Sequence, residues 1–322
     1  MRLLKLVPDD TNIAFLKWRN VAMAIGVGMI VASLALTFVR GLNMGVDFVG
    51  GQSTRVEFSK PVDISDVRAK ADAIGIGEAT VQEFGSANEV LIRTPVPKGD
   101  EDSANTAADK LRAGILKAYP DAKVGSVDTV SGKVSGELLQ TGALSLVLAM
   151  VAISIYIWFR FEWQFGAGAL FALFHDVSLT FGFFALTQLE FNLNIVAALL
   201  TIIGYSLNDT IVVFDRIREN LKKYRKMDMT ALLDLSVNET LARTVMTSLT
   251  MIIALVALLI WGPAVIFGFT AAMLLGLFVG TYSSVYMAAP WLIWLHVKSD
   301  SFVPVDSGTG TAERVTDDGA RV

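Results

Sequence analysis

Six long apolar runs punctuate this chain, at 21–39, 138–159, 165–186, 193–214, 244–261 and 265–295. Each is long enough to cross a bilayer as one helix. The connections at 160–164, 187–192 and 262–264 are short, so successive helices should be antiparallel neighbours. Gly262-Pro263 suits a turn with proline leading into the next helix. Between the first run and the second lies a polar region of different period. Alternation at 52–58, 79–84, 88–94 and 122–130 predicts strands, and the helical spacing of apolar residues at 63–73 and 104–118 predicts helices, the first capped by Asp63 or Ser65. A Gly-Ser-Ala turn joins the middle strands as a hairpin. The order β-α-β-β-α-β is that of a split ferredoxin-like unit.

The pattern therefore predicts an α-helical membrane protein, six transmembrane helices with one α+β ferredoxin-like extracytoplasmic domain between helices 1 and 2. Residues 1–19 mix Arg and Lys with Leu, Phe and Trp and read as an interfacial segment on the cytoplasmic face. The first helix occupies 20–39 and the outer (periplasmic) domain 40–137. Helices 2–6 fill 138–297, with a basic cytoplasmic loop at 215–243, and 298–322 reads as a disordered cytoplasmic tail. Residues 95–103, PVPKGDEDS, read as a mobile loop. In RGLNMGVDFVGG, at 40–51, Gly41, Gly45, Gly50 and Gly51 predict hinges and tight turns instead of helix, and SGKVSGE at 131–137 is a second glycine-containing tether.

Orientation follows from charge. Arg216, Arg218, Lys222, Lys223, Arg225, Lys226 and Arg243 lie in 215–243, whereas 187–192 and 262–264 hold no Lys or Arg. The positive-inside rule puts that loop and both termini of a multi-pass membrane protein in the cytoplasm. Composition narrows the chemistry. Of 322 residues 53% are hydrophobic and 18% charged, and mean hydropathy is +0.53. There is no cysteine, which excludes disulfides, thiol catalysis and cysteine-ligated metal. No phosphate loop, HExxH or GxSxG occurs, and nothing favours nucleic acid. No metal or cofactor is expected.

Ionisable groups inside apolar runs are the candidate chemistry, because a carboxylate at that depth is costly unless it faces protein or water. Asp209 lies in NLNIVAALLTIIGYSLNDTIVVFDRIREN. Asn194, Ala198, Thr201, Tyr205, Asn208/Asp209 and Val212 fall on one face, which predicts a polar seam buried in a bundle with the Ile202, Ile203, Val213 and Phe214 face turned to lipid. His175 and Asp176 sit mid-run in LFALFHDVSLTFG, near small residues that admit a neighbouring helix. In SVNETLARTVMTSLT, Ser236 and Glu239 read as a capping box that places Arg243 in the second helical turn, with Thr247 and Thr250 continuing its stripe. An arginine there can reach Asp209. The alternatives are plain: a static ion pair, a core histidine and structural hydrogen bonding by Asn208 and Thr201.

GLNMGVDFVGG, FHDVSLT and GYSLNDTIVVFDRIREN resemble the signature segments of the SecD/SecF family, within the resistance-nodulation-division superfamily. Val49 departs from the threonine of that pattern. The resemblance spans the whole architecture and implies an accessory subunit of the Sec protein-export machinery. It implies a heterodimer with SecD, driven by protons and promoting late, ATP-independent steps of translocation. It further implies contacts with the SecYEG translocon, YajC, exported polypeptides and membrane lipid. Asp209 and Arg243 fall on the family's proton-relay carboxylate and arginine, with Asp176 and His175 as further relay candidates and Asn208, Tyr205, Thr201, Thr247 and Thr250 as the supporting seam. Other classes remain open: a passive membrane scaffold, or an intramembrane aspartyl protease using Asp176 and Asp209, although the Gly-x-Gly-Asp frame of such proteases is absent.

Overall fold

The computed structural model describes residues 7–8, 11–84, 86–95 and 101–297. Among them six helices are long and apolar enough to cross a membrane. α1 (Arg19–Arg40) is followed by a one-turn α2 (Val46–Val49). The polar domain then runs β1 (Gly51–Glu57), α3 (Ile64–Asp72), β2 (Thr80–Phe84), β3 (Ser86–Thr94), α4 (Glu101–Ala118) and β4 (Lys123–Val130). The chain returns through α5 (Gly132–Arg160), α6 (Trp163–Thr187), α7 (Leu193–Lys223), α8 (Met229–Trp261) and α9 (Phe267–Ser283). A π-helical turn at Ser284–Ala288 and α10 (Pro290–Trp294) complete it.

The sheet order is β2-β3-β1-β4, every neighbour antiparallel, which is the ferredoxin-like arrangement. Val56, Val90, Ile92, Leu111 and Ile115 are its buried centre, supplied by alternate strand positions and one stripe of α4. Asp63 caps α3 by accepting from the Ser65 backbone N–H at 2.8 Å.

Several boundaries differ from the sequence expectation. The 131–137 tether is helix, because Ser131 accepts from the Val134 N–H and starts α5 at Gly132. Residues 40–51 are turn only in part, since α2 interrupts them. Gly41, Gly50 and Gly51 have positive φ of 74°, 72° and 129°, as turns require. Gly45 does not, with φ −73°; a Cβ there would press on Glu190 and Asn192, so its smallness serves contact instead of bending. The basic 215–243 segment is no loop either. Ile217, Leu221, Leu232, Leu233 and Val237 are buried, so an amphipathic helical hairpin extends beyond the apolar runs and turns only at 224–228. Of the expected 95–103 loop, 96–100 lies outside the described residues, as do the 298–322 tail and 1–6 and 9–10 of the N-terminal segment.

The domain is docked on the bundle. Met44 bridges Phe191 of the α6–α7 connection, with the Gly45 N–H donating to the Phe191 carbonyl at 2.9 Å and the Phe191 N–H to the Asn43 carbonyl at 2.8 Å. Arg93 of β3 donates to the Met44 carbonyl (2.6 Å), Asn43 Oδ1 (2.6 Å) and Gln82 Oε1 (2.9 Å). The expected flexible tether is thus also a clasp.

Within the bundle, α1 packs along α6, and α7 is flanked by α6, α8 and α9. Small residues set the close approaches. A Cβ on Gly276 of α9 would lie 2.5 Å from Ile202 of α7, and one on Gly182 of α6 would strike Ser33 of α1. The π-helical turn has a local cause. Pro290 has no N–H to donate and its ring crowds the carbonyl one turn back, so the helix widens just ahead of it.

Candidate functional site: two carboxylates in the bundle

Asp209 of α7 sits at the meeting of α7, α8 and the π-helical turn. Thr244 Oγ1 donates to its Oδ1 and Ser284 Oγ to its Oδ2, each at 2.6 Å. The carboxyl is half-buried, and its hydrogen-bond partners among the described residues are neutral hydroxyls. One turn nearer the domain, Tyr205, Ser248 and Thr281 continue the polar contacts at 3.4 and 3.2 Å across α7, α8 and α9.

Arg243 is not at Asp209. The expected capping box does not exist, because Asp228 caps α8 through the Thr230 and Ala231 N–H groups at 2.9 and 3.3 Å. Ser236 and Glu239 lie inside the helix instead, both accepting from Asn220 Nδ2. Neighbouring positions on a helix differ by about 100°, so when Thr244 faces Asp209 the preceding residue turns away. Arg243 is exposed and borders a cavity of about 210 Å³ with Asp215, Arg216, Glu219, Glu239 and Thr240. Thr247 and Thr250 follow it outward and bond only to backbone carbonyls of their own helix.

The polarity of α7 departs from the expectation in part: of the predicted seam, Ala198 is buried and Tyr205, Asp209 and Val212 are half-buried, but the rest faces outward. Ile202, Ile203, Val213 and Phe214 are buried, whereas Asn194, Thr201 and Asn208 are exposed. Phe214 stands edge-on to Phe165 at 5.0 Å, which draws the apolar face inward. With Arg243, Thr247 and Thr250 beside it, this polar stripe forms a seam on the outside of the bundle.

His175 and Asp176 of α6 form a second, closed site, both with no exposed surface. His175 Nδ1 meets Asp176 Oδ1 at 2.9 Å, and Asp176 Oδ2 accepts from Ser206 Oγ of α7 and from Ser283 Oγ of α9 at 2.8 Å. The other imidazole nitrogen has no hydrogen-bond partner among the described residues and faces α1, where a Cβ on Gly26 would stand 3.5 Å from it. Ser206, Thr244, Ser283 and Ser284 hold the two acids, and none was singled out in the sequence. Ser283-Ser284 inside GTYSSVYMAAP carries only the weak signal of two hydroxyls in an apolar run just before a proline. No group of three or more metal-ligating side chains occurs among the described residues.

Residues 111–298 match the family described as protein export membrane protein SecD/SecF, C-terminal, and residues 35–62 match the SecD/SecF GG motif. The chain is 46% identical over 297 residues to protein translocase subunit SecF of Rhodobacter capsulatus, covering 88% of this chain and 89% of that one. It is 40% identical to SecF of Vibrio alginolyticus, covering 94% and 96%. The crystal structure of SecDF from Thermus thermophilus, a translocon-associated membrane protein, overlays with a TM-score of 0.82 at 33% identity, covering 89% of this chain and 39% of that one. A SecDF structure in a super-membrane-facing form overlays at 0.67 with 31% identity, covering 92% and 40%. With these matches spanning the bundle and the domain together, the chain belongs to the SecF family of protein translocase subunits, membrane accessories of Sec-dependent protein export.

Proposed function

We propose that this chain is the SecF half of a proton-driven motor that acts with SecD on chains leaving the translocon. The observation that carries the proposal is Asp209: a half-buried carboxyl, held by two hydroxyls and no cation, beside a polar seam on the bundle surface. A hydroxyl can donate to the carboxylate or accept from the acid, so the cage tolerates either protonation state. The seam itself asks for a partner, since Thr201, Asn208, Arg243 and Thr247 would be poorly placed against lipid. Parallel-repeat transporters join two six-helix halves about an axis along the membrane normal, and SecD would supply the second half. Arg243 then acts as a mobile counter-charge on the seam, reaching Asp209 in only part of the cycle. The lower overlay on one SecDF form at nearly equal identity supports a domain that changes its placement during work.

The remaining assignments rest on the same reading. The basic α7–α8 hairpin and both termini lie in the cytoplasm of the inner membrane, and the ferredoxin-like domain lies outside. Partners are SecYEG, YajC and the exported chain, the driver is the proton gradient, and no cofactor or catalysis is involved. The aspartyl-protease reading lacks support, because a dyad shares one proton between adjoining carboxyls, whereas Asp176 and Asp209 each bond a separate hydroxyl pair.

The test is export of a precursor in inverted membrane vesicles containing this chain and SecD, with and without an imposed proton gradient. Asp209→Asn should assemble normally and lose the gradient-dependent gain. Retention of the whole gain would remove Asp209 from the proton path and leave the scaffold reading in its place.

A further inference from the structure

We infer that the buried His175–Asp176 pair is not a second proton carrier but a positioning device. It fixes Ser206 and Ser283, and through Ser283 the π-helical turn whose first residue, Ser284, holds Asp209. This rests on the assignment of Asp209 as the group that takes up protons.

The first support is electrostatic. Neither side chain of the pair has any exposed surface, and α1 closes over the imidazole at Gly26. One proton shared between the two gives either a neutral acid with a neutral imidazole or an internal ion pair, and both have zero net charge. Adding or removing a proton would seal a net charge inside an apolar bundle, a far greater penalty than at half-buried Asp209. A group that must load and unload protons in every cycle is poorly served by such a place.

The second support is connectivity. Asp176 lies on α6, Ser206 on α7 and Ser283 at the end of α9, so one carboxyl group ties three helices together. Ser206 is one helical turn before Asp209, and Gly280 of α9 lets the backbones meet there, since a Cβ would stand 3.1 Å from the Ser206 Cβ. Ser283 and Ser284 are adjacent, and one serves each acid. Each serine also has an acceptor on its own helix: the Gly280 carbonyl for Ser283 and the Thr281 carbonyl for Ser284, both at 3.1 Å. A hydroxyl has one proton and must choose. If Asp176 no longer accepts, Ser283 can return to its helix, and the π-helical turn loses the anchor that directs Ser284 at Asp209.

The third support is what the site asks of its side chain. It needs one oxygen that accepts from two serines and one atom that can bond His175 Nδ1. An asparagine meets both needs: its carbonyl accepts from Ser206 and Ser283, and its NH2 donates to an imidazole carrying its proton on Nε2. It cannot carry a proton. Leucine fills a similar volume and meets neither need.

The experiment uses the full chain with SecD in inverted vesicles, and reads the gradient-dependent gain in export and the amount of complex. Asp176→Asn should keep the gain within about twofold. Asp176→Leu and Ser283→Ala should assemble yet lose about tenfold of it, the effect expected of one charge-assisted hydrogen bond. Loss of the gain in Asp176→Asn at normal complex levels would overturn the inference in favour of a relay. Full gain in Asp176→Leu or Ser283→Ala would overturn it in favour of simple packing. Asp209→Asn, run alongside, reports separately on the proton assignment. If Asp209→Asn keeps the gain, that reading fails whatever the Asp176 variants do.

Discussion

α6 and α8 both carry polar side chains through an apolar span, and they dispose of them in opposite ways. On α6, His175, Asp176, Ser178 and Thr180 are all buried, and the partners of Asp176 come from the same chain. On α8, Thr244 and Ser248 turn inward, but Arg243, Thr247 and Thr250 lie outside, the two threonines satisfied only by their own helix. A buried polar group matched on neighbouring helices ties those helices together. An exposed arginine with no ion pair among the described residues, set in a stripe with Thr247 and Thr250, instead suits a second polar surface, because lipid offers no hydrogen bonds. The difference separates the residues that build this half from those that await the other.

The largest effects should come from placing bulk on either side of that division. Gly204 of α7 has nothing within 4 Å of a would-be Cβ, whereas Gly276 of α9 meets Ile202 at 2.5 Å. Gly276→Leu should destabilise the isolated chain by about 1–3 kcal/mol or more through overpacking. Gly204→Leu should leave the isolated chain within about 0.5 kcal/mol of the original, as an exposed substitution does, yet abolish co-purification with SecD. Thermal unfolding in detergent and pull-down from mild detergent read the two quantities. A Gly204→Leu chain that still pairs fully would move the interface elsewhere.

Arg243→Met should have a smaller and more selective effect. The arginine has no ion pair among the described residues, so the isolated chain should keep its stability within about 0.5 kcal/mol. In the complex the gradient-dependent gain should fall while assembly persists. Destabilisation of the isolated chain would restore the buried ion pair expected from sequence.

That arginine also marks how far the sequence could be read. Six apolar runs and the order of period changes were enough for the spans and the ferredoxin-like domain, because both signals depend on whole segments. Asp209, Asp176 and His175 stood out because charge in an apolar run is rare. Which face of α7 points inward was not legible. Its polar stripe looks the same whether it lines this bundle or meets another chain, and only the packing of Ile203 and Phe214 decides. The partner of Asp209 was missed by one position, Thr244 for Arg243, after a capping motif fixed the wrong start for α8. Serines 206, 283 and 284 carry no charge and break no pattern, so only their contacts reveal them.

The clasp between domain and bundle lies outside both polar centres and should give a moderate effect. Arg93→Ala removes the three hydrogen bonds to Met44, Asn43 and Gln82. Their loss should weaken docking by about 1–3 kcal/mol without unfolding the domain, whose core is made of other residues. The chain has no cysteine, so a single pair of introduced thiols, one on β2 and one in the 264–266 turn, can carry distance labels. The labels should show a wider and longer distribution in Arg93→Ala. An unchanged distribution would place the hold in the Met44–Phe191 backbone bridge.

The smallest expected effect is a pH dependence of the same docking. Glu190, in the connection between α6 and α7, borders a cavity of about 700 Å³ beneath the edge strand β2. Burial pushes its carboxyl above the ordinary glutamate value of 4.5; Arg93 and Arg55 oppose that rise, and Asp47 and Asp128 add to it. Undocking exposes Glu190 and returns it towards the ordinary value, so the docked form binds the proton more tightly. The sign follows by linkage: docking is strongest at low pH, weakens as pH rises from 4.5 through the raised value, and is level above it. In the proposed orientation this connection faces the side that a proton gradient makes acidic, so the gradient would favour the docked form. The labelled thiol pair, followed over a pH series, should show the docked fraction falling with rising pH in the native sequence and staying level in Glu190→Gln. A docked fraction that rises with pH would mean that Arg93 outweighs burial at Glu190, and the closed polar network would then extend from the bundle into the clasp.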